Sequence, residues 1–168
     1  MHHNVKETIK SEPEFCRMTD LASERLGGSV LFATDDFFAE KENLIKSGRG
    51  IFIADKYTDR GKWMDGWESR RKRVPGHDWA IVKLATPGEI RGFDIDTNFF
   101  LGNHPPHASV EAAYLPDDAD PADWEAVQWT VILAKSHLDP GSRNFYECRS
   151  TGTYTHLRLH IYPDGGVA

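Results

Sequence analysis

The ten residues from Thr153 to Tyr162 alternate without a break, and this constrains the fold more than any other stretch of the chain. Thr155, Leu157, Leu159 and Ile161 share one face; Tyr154, His156, Arg158, His160 and Tyr162 share the other. A period of two predicts a strand with one apolar side. The pattern recurs from Ile90 to Phe100, where Phe93, Ile95 and Thr97 point one way and Asp94, Asp96 and Asn98 the other. Short apolar runs at 29–33, 51–54, 79–84, 108–115 and 129–134 read as further strands. Thr86-Pro87-Gly88 and Gly102 to Pro106 read as turns, 116–123 as a solvated acidic loop, and 39–47 as a short helix or loop turn. Residues 55–78 are rich in Gly, Asp and Trp without a clear period, and long connections of this kind usually carry function or order themselves by their own packing. No long amphipathic helix is present, so the expected class is an all-β sandwich with few short helices.

Residues 1–20 are polar and mixed and read as a peripheral lead-in. At the other end, Asp164-Gly165 suits a hairpin turn, and Val167-Ala168 reads as the start of a returning strand. A hairpin with one arm missing leads to the expectation that this polypeptide stops inside a longer parent sequence.

The chain has 168 residues, which is one domain, and a domain of this size buries about two-thirds of its unfolded surface. Twenty basic residues stand against 26 acidic ones, a net charge of −6, which argues against a nucleic-acid partner. The one basic run, Arg70 to Arg73, lies beside Asp65 and Glu68, and its outer members Lys72 and Arg73 are expected to be solvated. No apolar stretch approaches the roughly 20 residues of a membrane span. The N-terminus has no apolar signal core, and Cys16 and Cys148 form no CxxC motif. These features fit a reducing compartment, the cytoplasm by default.

The densest chemical cluster runs from Gly61 to Arg71 and holds Trp63, Asp65, Trp67, Glu68, Arg70 and Arg71. Trp offers a rigid wall, Arg a planar fork that fits a carboxylate, and Asp or Glu an acceptor or proton carrier. The set suits a small polar ligand bearing a carboxylate and amide-like N–H groups; a Trp-anchored loop with self-paired charges is the plain alternative. Asp94 and Asp96 share a strand face about 7 Å apart by strand geometry, so something cationic, a metal, an Arg or ligand N–H groups, has to relieve their repulsion. His156, Arg158 and His160 share another face, where Arg between two His disfavours a metal. His104-Pro105-Pro106-His107 reads as structural, and Cys148 as buried. No nucleophile elbow, Walker A or dinucleotide fingerprint occurs.

Leu21-Ala22-Ser23 with Gly27-Gly28, Ala33 to Ala39, Gly61-Lys62-Trp63-Met64-Asp65-Gly66-Trp67-Glu68-Ser69-Arg70-Arg71, and His77 to Leu84 together resemble the allantoicase family. The likeness continues through Gly92 to Thr97, Phe99 to Asn103, Thr155 to Arg158 and Tyr162 to Gly166, and covers roughly residues 20–168. The resemblance implies a jelly-roll sandwich of the galactose-binding-like type, with residues 21–168 as a single allantoicase repeat. It also implies hydrolysis of allantoate to ureidoglycolate and urea in purine (allantoin) degradation. Family members usually carry two such repeats; this chain resembles the first and ends before the strand that follows Pro-Asp-Gly-Gly in the family. Association with a second repeat or a homo-oligomer is therefore expected.

Allantoate carries a carboxylate and two ureido groups on one carbon. Replacing one ureido group by water needs a carboxylate clamp, acceptors for N–H groups, and an acid or base. By chemical type and motif position, Arg70, Arg71 and Arg158 are candidate clamps, and Asp65, Asp94 and Asp96 candidate acceptors. Glu68 or His156 would move the proton, with Asp65 beside them, and Trp63 and Trp67 would wall the pocket. The scheme requires residues 94–96 and 156–158 to face the same pocket as the 61–71 loop. It assigns no metal and leaves the cofactor open. The competing reading is a non-catalytic module for a carbohydrate or other small ligand on the same sandwich, with the two Trp as platforms; fold alone does not separate the two.

Overall fold

A computed structural model describes residues 11–168. Eleven strands follow in chain order: β1 (Ser29–Ala33), β2 (Tyr57–Thr58), β3 (Gly61–Lys62), β4 (Trp67–Glu68), β5 (Asp78–Glu89), β6 (Gly92–Asp96), β7 (His107–Ala113), β8 (Thr130–His137), β9 (Arg143–Glu147), β10 (Thr153–Tyr162) and β11 (Gly166–Val167). Four short 3-10 turns, Glu14–Arg17, Glu24–Leu26, Lys41–Ile45 and Trp124–Ala126, are the helical elements among the described residues.

One layer is a five-stranded antiparallel sheet in the order β1-β5-β10-β7-β8. The pairs β6-β9 and β4-β11 supply the other layer. Leu157, Leu159 and Ile161 of β10, Val82 and Leu84 of β5, and Val110 of β7 turn inward from the large sheet. They meet Ile95, Cys148, Trp67 and Val167 from the smaller pairs, so two layers enclose one core. The strand expected at 153–162 has those bounds, and its apolar set packs in the core apart from Thr155, which is buried and bonds to the backbone of β7 and the residues after it.

Elsewhere the structure departs from the expected elements. The expected turn Thr86-Pro87-Gly88 lies inside β5. Register along β10 jumps from Tyr154↔Gly88 to His156↔Lys83, so Pro87 falls where no β10 ladder bond is needed from it. The apolar run 51–54 is not a strand; its side chains are exposed, and Phe52 stacks on Phe99 at 5.5 Å. β9 was not expected, because Arg143 to Glu147 lacks apolar alternation; it forms as the partner of β6. Nor do Asp164-Gly165 turn a hairpin back onto β10. They carry the chain to the other layer, where Gly166 and Val167 pair with Glu68 and Trp67 of β4. Gly166 has to lack a side chain, since a Cβ there would sit 1.9 Å from the Phe100 ring.

Candidate functional site

β4 is only two residues long, and its alternation separates structure from chemistry. Trp67 turns inward, fully buried, and its indole Nε1 donates to Asp35 O at 2.8 Å. It anchors the loop from beneath with no exposed surface, contrary to the pocket wall expected from its residue type. Glu68 turns the other way, half-buried, into a cavity of about 520 Å³ lined among others by Phe38, Arg71, Lys72, Asn103 and His104. Its backbone is clamped on both sides, through exchange with Ala39 (3.1 and 3.3 Å) and the ladder to Gly166. Asn103 Nδ2 donates to Glu68 Oε1 at 2.7 Å. Burial pushes the Glu68 carboxyl above the usual carboxylate range, and the Asn103 bond offsets only part of this. A carboxyl so placed keeps its proton longer than an exposed Glu and can deliver it.

The acceptor candidates lie in a second cavity of about 300 Å³, which shares no lining residue with the first. Here Asp65, Asp94 and Asp96 meet Arg49 and Arg143. Arg49 grips Asp96 with Nε and Nη2 at 2.9 and 3.0 Å, and Arg143 Nε lies 2.8 Å from Asp94 Oδ2. An arginine thus stands against each member of the Asp94–Asp96 pair. Burial raises the Asp94 carboxyl despite Arg143. Asp65 accepts from the Ile51 N–H at 2.9 Å.

The remaining candidates are dispersed. His156 and Arg158 lie on the outer face of the five-stranded sheet, away from both cavities, so the one-pocket arrangement required of 94–96, 156–158 and 61–71 does not form. His156 is buried; its Nδ1 lies 2.7 Å from Thr155 Oγ1, and the Trp124 ring lies at 5.9 Å. Arg158 is flanked by the Trp79 and Trp129 rings at 5.2 and 5.0 Å and engages Glu111, so its guanidinium is already committed. Arg70 is exposed and pairs with Asp35 at 2.7 Å. Trp63 is covered by the Lys56 ammonium, 4.2 Å from its ring centre. Lys72, expected in solvent, reaches the buried Asp78 at 3.2 Å. Asn103, Arg49 and Arg143 were given no role from the sequence: the first sits in a turn within a stretch that resembles the family, the second between the 39–47 segment and the 51–54 run, the third on the unexpected β9. Among the described residues no group of three or more His, Cys, Asp or Glu could hold a metal ion.

Two antiparallel layers with polar cavities beside the short β4-β11 pair define the chain as a jelly-roll β-sandwich of the galactose-binding-like type. Its backbone matches the carbohydrate-binding module CBM32-3 of a family 31 glycoside hydrolase from Clostridium perfringens with a TM-score of 0.56, over 84% of this chain and 85% of that one. At 14% identity that is a likeness of fold alone. The model of the allantoicase repeat matches residues 19–168, and the chain belongs to the allantoicase family. It is 52% identical over 157 residues to a probable allantoicase of Burkholderia mallei, covering 93% of this chain and 46% of that protein. It is 51% identical over 152 residues to the allantoicase of Dictyostelium discoideum, covering 89% and 40%. The crystal structure of the Saccharomyces cerevisiae allantoicase matches with a TM-score of 0.79 at 35% identity, over 89% of this chain and 46% of that one. The chain thus spans about half the length of the relatives it matches.

Proposed function

We propose that this chain takes part in the hydrolysis of allantoate to ureidoglycolate and urea in purine (allantoin) degradation, with the Glu68 cavity as the reacting site. The observation that carries this reading is a half-buried carboxyl held above its usual range, beside Arg71, in a member of the allantoicase family. Arg71 takes the substrate carboxylate and Asn103 keeps Glu68 aimed. Glu68 protonates the nitrogen of the leaving ureido group while the lone pair of the other ureido nitrogen expels it as urea. Water adds to the iminium carbon so formed and loses a proton, and Glu68 is reprotonated. As an acid, Glu68 loses its effect as pH rises through its raised value, so the rate falls on the alkaline side.

The relatives are about twice as long, which supports a working assembly with a second repeat, within one polypeptide or from another copy. Two free cysteines, Cys16 and Cys148, favour the cytoplasm; among the described residues no helix is long and apolar enough to cross a membrane. The test is urea release from allantoate by the purified chain. Glu68→Gln is expected to lower turnover about 100-fold or more while allantoate still binds. Undiminished turnover in that variant would remove Glu68 from the reaction. Binding of allantoate without urea release, both by the chain and by an assembly that holds a second repeat, would favour the binding-module reading; release by the assembly alone would mark the chain as half of the enzyme.

A further inference from the structure

The turn from Gly102 to Pro106 brings an imidazole to the Glu68 cavity. His104 lines that cavity together with Glu68, Arg71, Lys72, Asn103 and Asp164. The segment from His104 to His107 is expected from its sequence to be structural, and its two prolines are. Pro105 is fully buried, and Pro106 O accepts from the Leu138 N–H at 2.9 Å. Each proline fixes its own φ, and Pro105 restricts the backbone of His104 before it. On the other side, Asn103 O accepts from the Gly166 N–H at 2.9 Å, and the Asn103 side chain holds Glu68. Gly165 closes the packing: a Cβ there would lie 2.4 Å from Asn103 O and 3.1 Å from the His104 carbonyl carbon. His104 is therefore held against the same β4-β11 pair that carries Glu68.

We infer that His104 is a catalytic residue of the reaction proposed above, on which this inference rests, and that it donates a hydrogen bond to the carbonyl oxygen of the leaving ureido group. The two ring nitrogens set this role. Nδ1 is buried and has no hydrogen-bond partner among the described residues. An orphaned buried N–H is rarer than an orphaned buried acceptor, because a donor left unpaired loses its bond to water outright. The neutral ring carries one proton, which therefore goes to Nε2. The edge left for the substrate is Nε2–H, a donor. A base would need the reverse tautomer, with the proton on Nδ1 and nothing there to accept it.

The leaving group has a use for such a donor. As its C–N bond breaks, the electron pair passes to the ureido nitrogen and, by conjugation, toward the carbonyl oxygen of the departing urea. Glu68 delivers its proton to the nitrogen, and Nε2–H meets the charge growing on the oxygen. The His104 proton stays on the ring throughout, so the imidazole ends the step as it began. Other groups around the cavity are already engaged. Lys72 Nζ lies 3.2 Å from the buried Asp78, and Asp164 accepts from the Lys72 N–H at 2.8 Å.

Nitrogen-15 NMR of the histidine-labelled chain is expected to show the Nε2–H tautomer at His104; an Nδ1–H tautomer would overturn the donor role. Urea release from allantoate is then compared among variants, in the chain or in an assembly that holds a second repeat. His104→Ala is expected to lower kcat about 100-fold or more with a retained unfolding curve. His104→Gln keeps a side-chain N–H at similar reach and is expected to retain at least about a tenth of the turnover. Equal losses in the two variants would make His104 a base and refute the donor. Loss in Glu68→Gln with full turnover in a folded His104→Ala variant would discard this inference alone. Full turnover in both would take the reaction away from this cavity, and no release from chain or assembly would remove the reaction and the role of His104 together.

Discussion

Trp67 and Glu68 are covalent neighbours with opposite fates, and the difference between them is one step along a strand. Trp67 fills the core with its whole side chain and satisfies its single donor on Asp35. Trp67→Ala should cost about 3–5 kcal/mol by loss of buried surface and the cavity left behind. Urea denaturation of the purified variant checks this; a loss under 1 kcal/mol would mean that the site collapses around the gap. Composition alone makes both Trp of the 61–71 segment look like ligand walls, because residue type says nothing about which way a side chain points. The two-residue strand that decides the matter is too short to leave a period. Glu68 stood out as a candidate proton carrier from its type and motif; the Asn103 amide that meets it, 35 positions away, did not.

Elements were legible where they were long and one-sided. The ten-residue alternation of β10 marks both its bounds and its inner face, because the apolar side has a core to meet. β9 shows the opposite case, since its order comes from β6 and from the Arg143–Asp94 pair rather than from its own pattern. β11 is shorter still, and its pairing with β4 rests on a bare backbone approach. Gly166→Ala should therefore destabilise the protein by about 1–3 kcal/mol, since Phe100 would have to move. Because β11 flanks the strand that holds Glu68, hydrogen exchange at Glu68 N–H should rise in the same variant. Unchanged exchange would show that Ala39 alone holds β4 in place.

For the molecule as a whole, the fold class followed from strand patterning and the absence of a long helical period, while the division of the candidate residues among two cavities and an outer face did not. Strand alternation places a residue on a face; which faces meet depends on topology, and a sandwich has an outside on both layers. Buried histidine is a global consequence of that arrangement. His156, His160 and His77 are all held below the ordinary imidazole range by burial. Their unfolded forms take up protons first, so their contribution is complete above about pH 6.5 and is lost as pH falls through that value toward the lower folded one. Glu68 and Asp94, raised by burial, act in the opposite sense, favouring the fold as pH drops through the carboxylate range, while Asp35 and Glu111, lowered, lose stability there. Thermal midpoints should decline from pH 7.5 to pH 5.5, before the carboxylates dominate. A flat profile over that window would mean that the imidazoles take up protons as readily in the fold as in the unfolded chain.

The seam between β4 and β11 also has a temporal side. Ser69 and Gly165, 96 positions apart, bond to each other just beyond it. A nascent chain growing at about 5–20 residues per second exposes β4 for roughly 5–20 s before its partner strand is made. β4 thus leaves the ribosome well before the strand that completes its pairing. The Glu68 carboxyl reaches its clamped position only once β11 has been made.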